Sequence, residues 1–129
     1  MAEMNTLLID GQVTRGADAP RAFQNRGFLL GDGCFESMRH TAGRIPFLAL
    51  HVQRLHAALK AHGMVVPDAL SEDALEQAIA QWQSSWGVKG DMRIRLTAFR
   101  SGQGAYAPAS DDVSWVATAA TLEGVGYML

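Results

Sequence analysis

Residues 91–100 read DMRIRLTAFR, and that alternation constrains the fold more than any other stretch of the chain. Met92, Ile94, Leu96 and Ala98 fall on one side of a strand of period two, and Arg93, Arg95, Thr97 and Phe99 on the other. A strand of this kind has one apolar face to bury, so its sheet needs a second layer on that side. The chain supplies the layer as two helical stripes. Leu48, Val52, Leu55 and Leu59 recur at helical spacing and predict a helix over 48–62, with Gly63 as its stop. Leu75, Ile79, Trp82 and Trp86 repeat that spacing and predict a second helix over 72–86. Ser71 is its N-cap, and Glu72 and Asp73 complement the dipole in the first turn.

The remaining segments supply more strands. Asp10-Gly11 between Thr6–Ile9 and Gln12–Thr14 predicts a hairpin. Residues 15–26 read as loop, and the glycines between Gly27 and Gly33 as a bend or close approach of the backbone. Residues 34–41 predict a strand, 42–44 a turn, 45–47 a short return strand, 101–110 a Gly/Pro-rich loop and 112–119 a final strand. Helices between runs of strands predict the α+β class: a two-layer sandwich of a mostly antiparallel sheet and two helices.

Composition narrows function by exclusion. The chain has 129 residues, enough for one domain. A net charge of −2 argues against nonspecific nucleic-acid binding, which rests on many cations meeting phosphates. No apolar run approaches the ~20 residues of a membrane helix, and MAEMNTLLIDG lacks the pattern of a signal peptide. Cys34 is the single cysteine, which excludes an internal disulfide and any multi-thiolate metal site and suits the cytoplasm. His40, His51, His56 and His62 show no zinc-ligand spacing with acidic partners.

Four features carry possible chemistry. Arg54 follows His51 by three residues, so both share a face of the first predicted helix, off the centre of its apolar stripe. A guanidinium fork matches phosphate geometry and stays charged at any working pH. Arg93 and Arg95 project from one strand face; if another domain covers that face they need anions, and if water does they need nothing. Arg39 has the parity of Phe35 on the earlier strand. If the two strands are neighbours, Phe35, Arg39, Arg93 and Arg95 make a face suited to an aromatic or aliphatic carboxylate. Gly31-Asp32-Gly33 reads as a turn with the alternative of a backbone anion nest. Gly102-Gln103-Gly104 lacks the following helix that a nucleotide loop requires, and Cys34 reads as a packed residue rather than a nucleophile.

The blocks NRGFLLGDGCFESMR, GRIPFLALHVQRL and RIRLTAFRSGQGAYAP, in that order and spacing, resemble the class IV (fold-type IV) pyridoxal-phosphate enzymes. These include branched-chain aminotransferases, D-amino-acid aminotransferases and 4-amino-4-deoxychorismate lyases. The resemblance spans about residues 6–120 and implies the family's small N-terminal domain over 1–120. Residues 121–129 would then begin an interdomain linker, with the catalytic second domain absent from this sequence. It implies pyridoxal 5'-phosphate as cofactor of the complete enzyme, an amino-acid or aminodeoxychorismate substrate, and a homodimer. By position, Arg54 matches the phosphate-binding arginine, Phe35 an aromatic on the substrate side of the cofactor, and Arg95 a position shaping the substrate-carboxylate region. Tyr106 matches the contact of an active-site loop.

Three departures qualify what the resemblance implies. Leu30 stands where branched-chain enzymes carry a tyrosine, and the loop at 102–105 lacks the arginine frequent in lyases, although the texture is nearest the lyase branch. The family's Schiff-base lysine has no counterpart, because Lys60 and Lys89 fall at the ends of predicted elements. The expectation is therefore an inactive piece of a pyridoxal-phosphate aminotransferase or lyase, with a stand-alone binding or dimerisation domain as the alternative.

Overall fold

The alternating segment forms β4 (Met92–Arg100), which pairs with β3 (Gly33–His40) on one side and β5 (Val113–Thr121) on the other. The computed structural model describes residues 6–15, 18, 26–87, 89–101 and 108–122. With β1 (Thr6–Ile9) and β2 (Gln12–Arg15) these strands make a five-stranded sheet of order β2-β1-β5-β4-β3, every pairing antiparallel. Asp10 and Gly11 both take positive φ, at 49° and 83°, the primed turn that matches the twist of a two-residue hairpin.

Two helices, α2 (Leu48–Ala61) and α3 (Glu72–Gln83), cover the apolar face of the sheet, as the α+β reading expects. Val52, Leu55 and Leu59 of α2 and Leu75, Ile79 and Trp82 of α3 are buried against Met38, Ile94, Leu96, Trp115 and Ala117. Ser71 caps α3 by accepting the Ala74 amide at 3.2 Å, and Gly63 ends α2 with φ 74°. No helix among the described residues is long and apolar enough to cross a membrane.

The structure corrects the sequence reading in three places. Residues 26–30, read as loop and bend, form the short helix α1 (Arg26–Leu30). It approaches β4 so closely that a Cβ on Gly27 would lie 2.0 Å from Phe99 Cβ. Residues 45–47 form no return strand: a single bridge joins Thr41 to Arg44 across the turn, and Phe47 turns left-handed (φ 62°, ψ 28°) to enter α2. The second helix ends at Gln83, and Trp86 packs from beyond it, edge-on to Trp82 and His40.

Candidate functional site

Strand parity places Glu36 on the same face as Cys34, Met38 and His40, under α2. Glu36 is only 5% exposed, and a carboxylate at that depth needs charge-assisted partners. One turn of α2 provides them. Arg54 donates Nε to Oε1 at 2.6 Å and Nη2 to Oε2 at 2.7 Å, and His51 donates Nδ1 to Oε2 at 2.8 Å. Burial pushes the Glu36 pKa up, but the hydrogen bonds from Arg54 and His51 outweigh it, and the carboxyl sits below its ordinary value. Arg54 itself is 70% exposed, and its pKa is raised by the hydrogen bond to Glu36.

The opposite face of β3 and β4 carries the other expected residues. The strands are neighbours, with Arg39 opposite Arg93 and Ser37 opposite Arg95. The Arg95 guanidinium lies 4.0 Å over the Phe35 ring, a diagonal cation–π pair, and Phe35 remains 54% exposed. Arg39 is neutralised by Asp91, which Thr41 also holds at 2.7 Å. Arg93 and Arg95 meet no acidic side chain among the described residues. A groove of about 610 Å³ opens beside them, lined by Ser37, Arg39, Phe47, His51 and Arg93 among others. His51 therefore connects the Glu36 cluster to the groove next to the basic face.

Tyr106 lies outside the described residues. The last residue of β4 is one that sequence reasoning missed. Arg100, 8% exposed, donates Nε to Asp32 at 3.1 Å and Nη2 to the His62 carbonyl at 2.6 Å, and pairs through Nη1 with Asp111. Arg26 meets the same Asp32 oxygen at 3.0 Å. Burial raises the Asp32 pKa, but its hydrogen bonds from Arg26 and Arg100 leave it below the ordinary carboxylate value. The backbone amides of Gly31, Asp32 and Gly33 are spent on the carbonyls of Gly27, Arg26 and Gly31 at 3.1, 3.4 and 2.9 Å, so the 31–33 segment is a turn and not the anion nest its glycines allowed. Cys34 is packed, its thiol pushed up by burial and by the Glu36 charge, as a structural cysteine should be. Glu36 and Arg100 shared one signal: each is a charged residue at a parity otherwise occupied by core side chains.

Comparison with solved structures supports the same architecture. The branched-chain aminotransferase of Thermoproteus uzoniensis with norvaline superposes with a TM-score of 0.75 at 23% identity, over 91% of this chain and 40% of that one. The branched-chain amino acid aminotransferase of Thermobaculum terrenum in its PLP form gives 0.74 at 17% identity, over 92% and 40%. The 4-amino-4-deoxychorismate lyase of Pseudomonas aeruginosa gives 0.64 at 21% identity, over 88% and 39%. The chain thus spans about two-fifths of the length of these proteins, and at these identities they establish its fold. No curated protein matches it. Residues 33–125, from the first position of β3 past the end of β5, match the family described as amino-transferase class IV. That span takes in the elements that build the Glu36 cluster and the basic face, and so the chain belongs to the class IV aminotransferase family.

Proposed function

We propose that this chain is the small domain of a pyridoxal-phosphate enzyme acting on an amino-acid-type substrate, with Arg54 holding the cofactor's phosphate. The observation that carries the reading is a guanidinium both anchored and available. Its Nε and one Nη2 hydrogen serve Glu36, while 70% of the side chain faces solvent. The residues fit a phosphate in this respect, since an Arg fork offers a planar bidentate edge that a phosphate can accept. When bound, pyridoxal phosphate supplies an electron sink for bonds at the substrate α-carbon.

The other residues take supporting parts. Phe35 and Arg95 form a stacked aromatic–cation wall on the outer face, apt for the carboxylate end of an amino acid, and Tyr106 is assigned to the same pocket. Lys60, in the last turn of α2, and Lys89, before β4, are exposed at the ends of their elements. We therefore place the lysine the chemistry requires in a second domain outside these 129 residues, with residues 121–129 leading toward it. A second copy of the protein is taken to cover the open outer face. Leu30, at the end of α1, carries no hydroxyl for a substrate carboxylate, which favours a lyase-like or other amino-acid substrate over a branched-chain one.

Two measurements test this reading. Pyridoxine 5'-phosphate, which lacks the reactive aldehyde, should bind more tightly than pyridoxine, and Arg54→Ala should remove the difference. Equal binding to the wild-type chain and the variant would overturn the role of Arg54. The purified 129-residue chain should turn over neither amino acids nor aminodeoxychorismate, and turnover would overturn the assignment of the lysine to another domain.

A further inference from the structure

We infer that Glu36 is a positioning residue that turns Arg54 into a rigid bridge, with a buried carboxylate at one edge of the guanidinium and a phosphate at the other. The inference rests on the phosphate role proposed for Arg54 and specifies how that role is achieved.

An arginine guanidinium presents five N–H donors in one plane, arranged as two bidentate edges and one lone hydrogen on Nη1. Glu36 takes the Nε/Nη2 edge with both of its oxygens, at 2.6 and 2.7 Å. What remains for an anion is Nη1 and the second hydrogen of Nη2, on a side chain that is 70% exposed. Glu36 is itself fixed. It is 5% exposed, and its lining neighbours are Met38, Val52, Leu55, Leu75 and Leu96, so it has no freedom to swing with the arginine. His51 saturates Oε2 from the previous turn of the same helix, which sets the carboxylate plane. The arginine plane follows from the carboxylate plane.

Two effects of Glu36 on an incoming phosphate oppose each other. Its negative charge repels the anion across the guanidinium, weakly because the ligand side is solvated. Its bidentate grip removes the rotamer freedom of a long side chain before the ligand arrives, which an unanchored surface arginine would lose on binding. The structure favours the second effect, because the carboxylate is buried on the core side and the free edge lies in water. A lysine at position 54 keeps the charge but cannot satisfy Glu36 and a phosphate through two edges of one plane.

The test uses the 129-residue chain labelled at arginine Nε and titrated with inorganic phosphate, followed by nuclear magnetic resonance. Without phosphate, the Arg54 Nε proton should exchange with water more slowly than those of exposed arginines, and phosphate should shift its signal. Arg54→Ala should abolish saturable phosphate binding, and Arg54→Lys should come close to it. Glu36→Gln should weaken binding about fivefold, the cost of an unanchored arginine. Glu36→Met, which puts an apolar side chain of similar size in place of the buried carboxylate and leaves Arg54 to solvent, should keep the fold in thermal melts and weaken binding equally. Equal or tighter binding in both Glu36 variants, or an Arg54 Nε proton exchanging like that of a free arginine, would overturn the positioning role. Loss in the Glu36 variants with no loss in Arg54→Ala would instead overturn the phosphate role of Arg54, and the bridge with it.

Discussion

Arg54 and Arg100 are both held by carboxylates, yet they do opposite work. Arg100 is buried and spends its donors on three other segments: the turn at Asp32, the strand approach at Asp111 and the end of α2 at the His62 carbonyl. Arg54 is exposed and bonds one residue, the buried Glu36. In the first pair the cation is inside and saturated, which makes it a clamp. In the second the anion is inside and the cation is left partly unused, which makes it a presented group. An arginine's role is thus read from which partner is buried and how many donors remain.

The largest effect should come from Arg100→Met. It strands Asp32 with Arg26 alone and removes the donors to Asp111 and the His62 carbonyl, and breaking a buried pair costs about 3–5 kcal/mol. Urea denaturation should show that loss, and the double variant Glu36→Met/Arg54→Met, which removes the buried carboxylate together with its exposed partner, should cost far less in the same assay. Comparable losses would erase the distinction between clamp and presented group.

Acid should sharpen the contrast next. Asp32 and Glu36 both have folded pKa values below their unfolded ones, so the unfolded chain binds protons first as the pH falls. Their stabilisation is complete above the ordinary carboxylate range and is lost as the pH drops through the lower folded values. The buried His40, depressed mainly by burial, adds a loss of the same sign that begins in the ordinary histidine range. Stability measured from pH 7 to 3 should therefore fall in two stages, and His40→Gln should flatten the upper one. A profile flat down to pH 4 would contradict the lowered pKa of His40.

The smallest effect belongs to the outer face. Arg95→Ala should lose only about 0.5–1 kcal/mol, the worth of an exposed cation–π contact. Thermal melts of Arg95→Ala, Phe35→Ala and the double variant would isolate that coupling, and a larger value would mean that the face is more deeply engaged than its exposure indicates.

Much of the fold was legible because period and burial coincide. The 92–98 alternation and the two helical stripes each name their own buried face, and the Asp10-Gly11 turn carries its backbone requirement in its residues. Helix α1 was not legible: five residues are too few for a periodic pattern, and what holds it is the absence of a Cβ at Gly27 against Phe99. At the site, parity put Phe35, Arg39, Arg93 and Arg95 on one face correctly. Parity also marks Glu36 and Arg100 as charges on an apolar face, although it cannot name their partners. Those partners come from α2 and from segments 11 to 68 residues away, distances over which local patterns carry no information.

Phe47 has a consequence for engineering. The residue that opens α2 holds a left-handed backbone, which costs a side chain with a Cβ about 1–2 kcal/mol, and its ring is 74% exposed. Little packing is at stake there, so glycine or asparagine at that position would relax the joint between strand and helix. The helix that presents Arg54 therefore starts from a strained joint, and that strain can be relieved by one substitution outside the core.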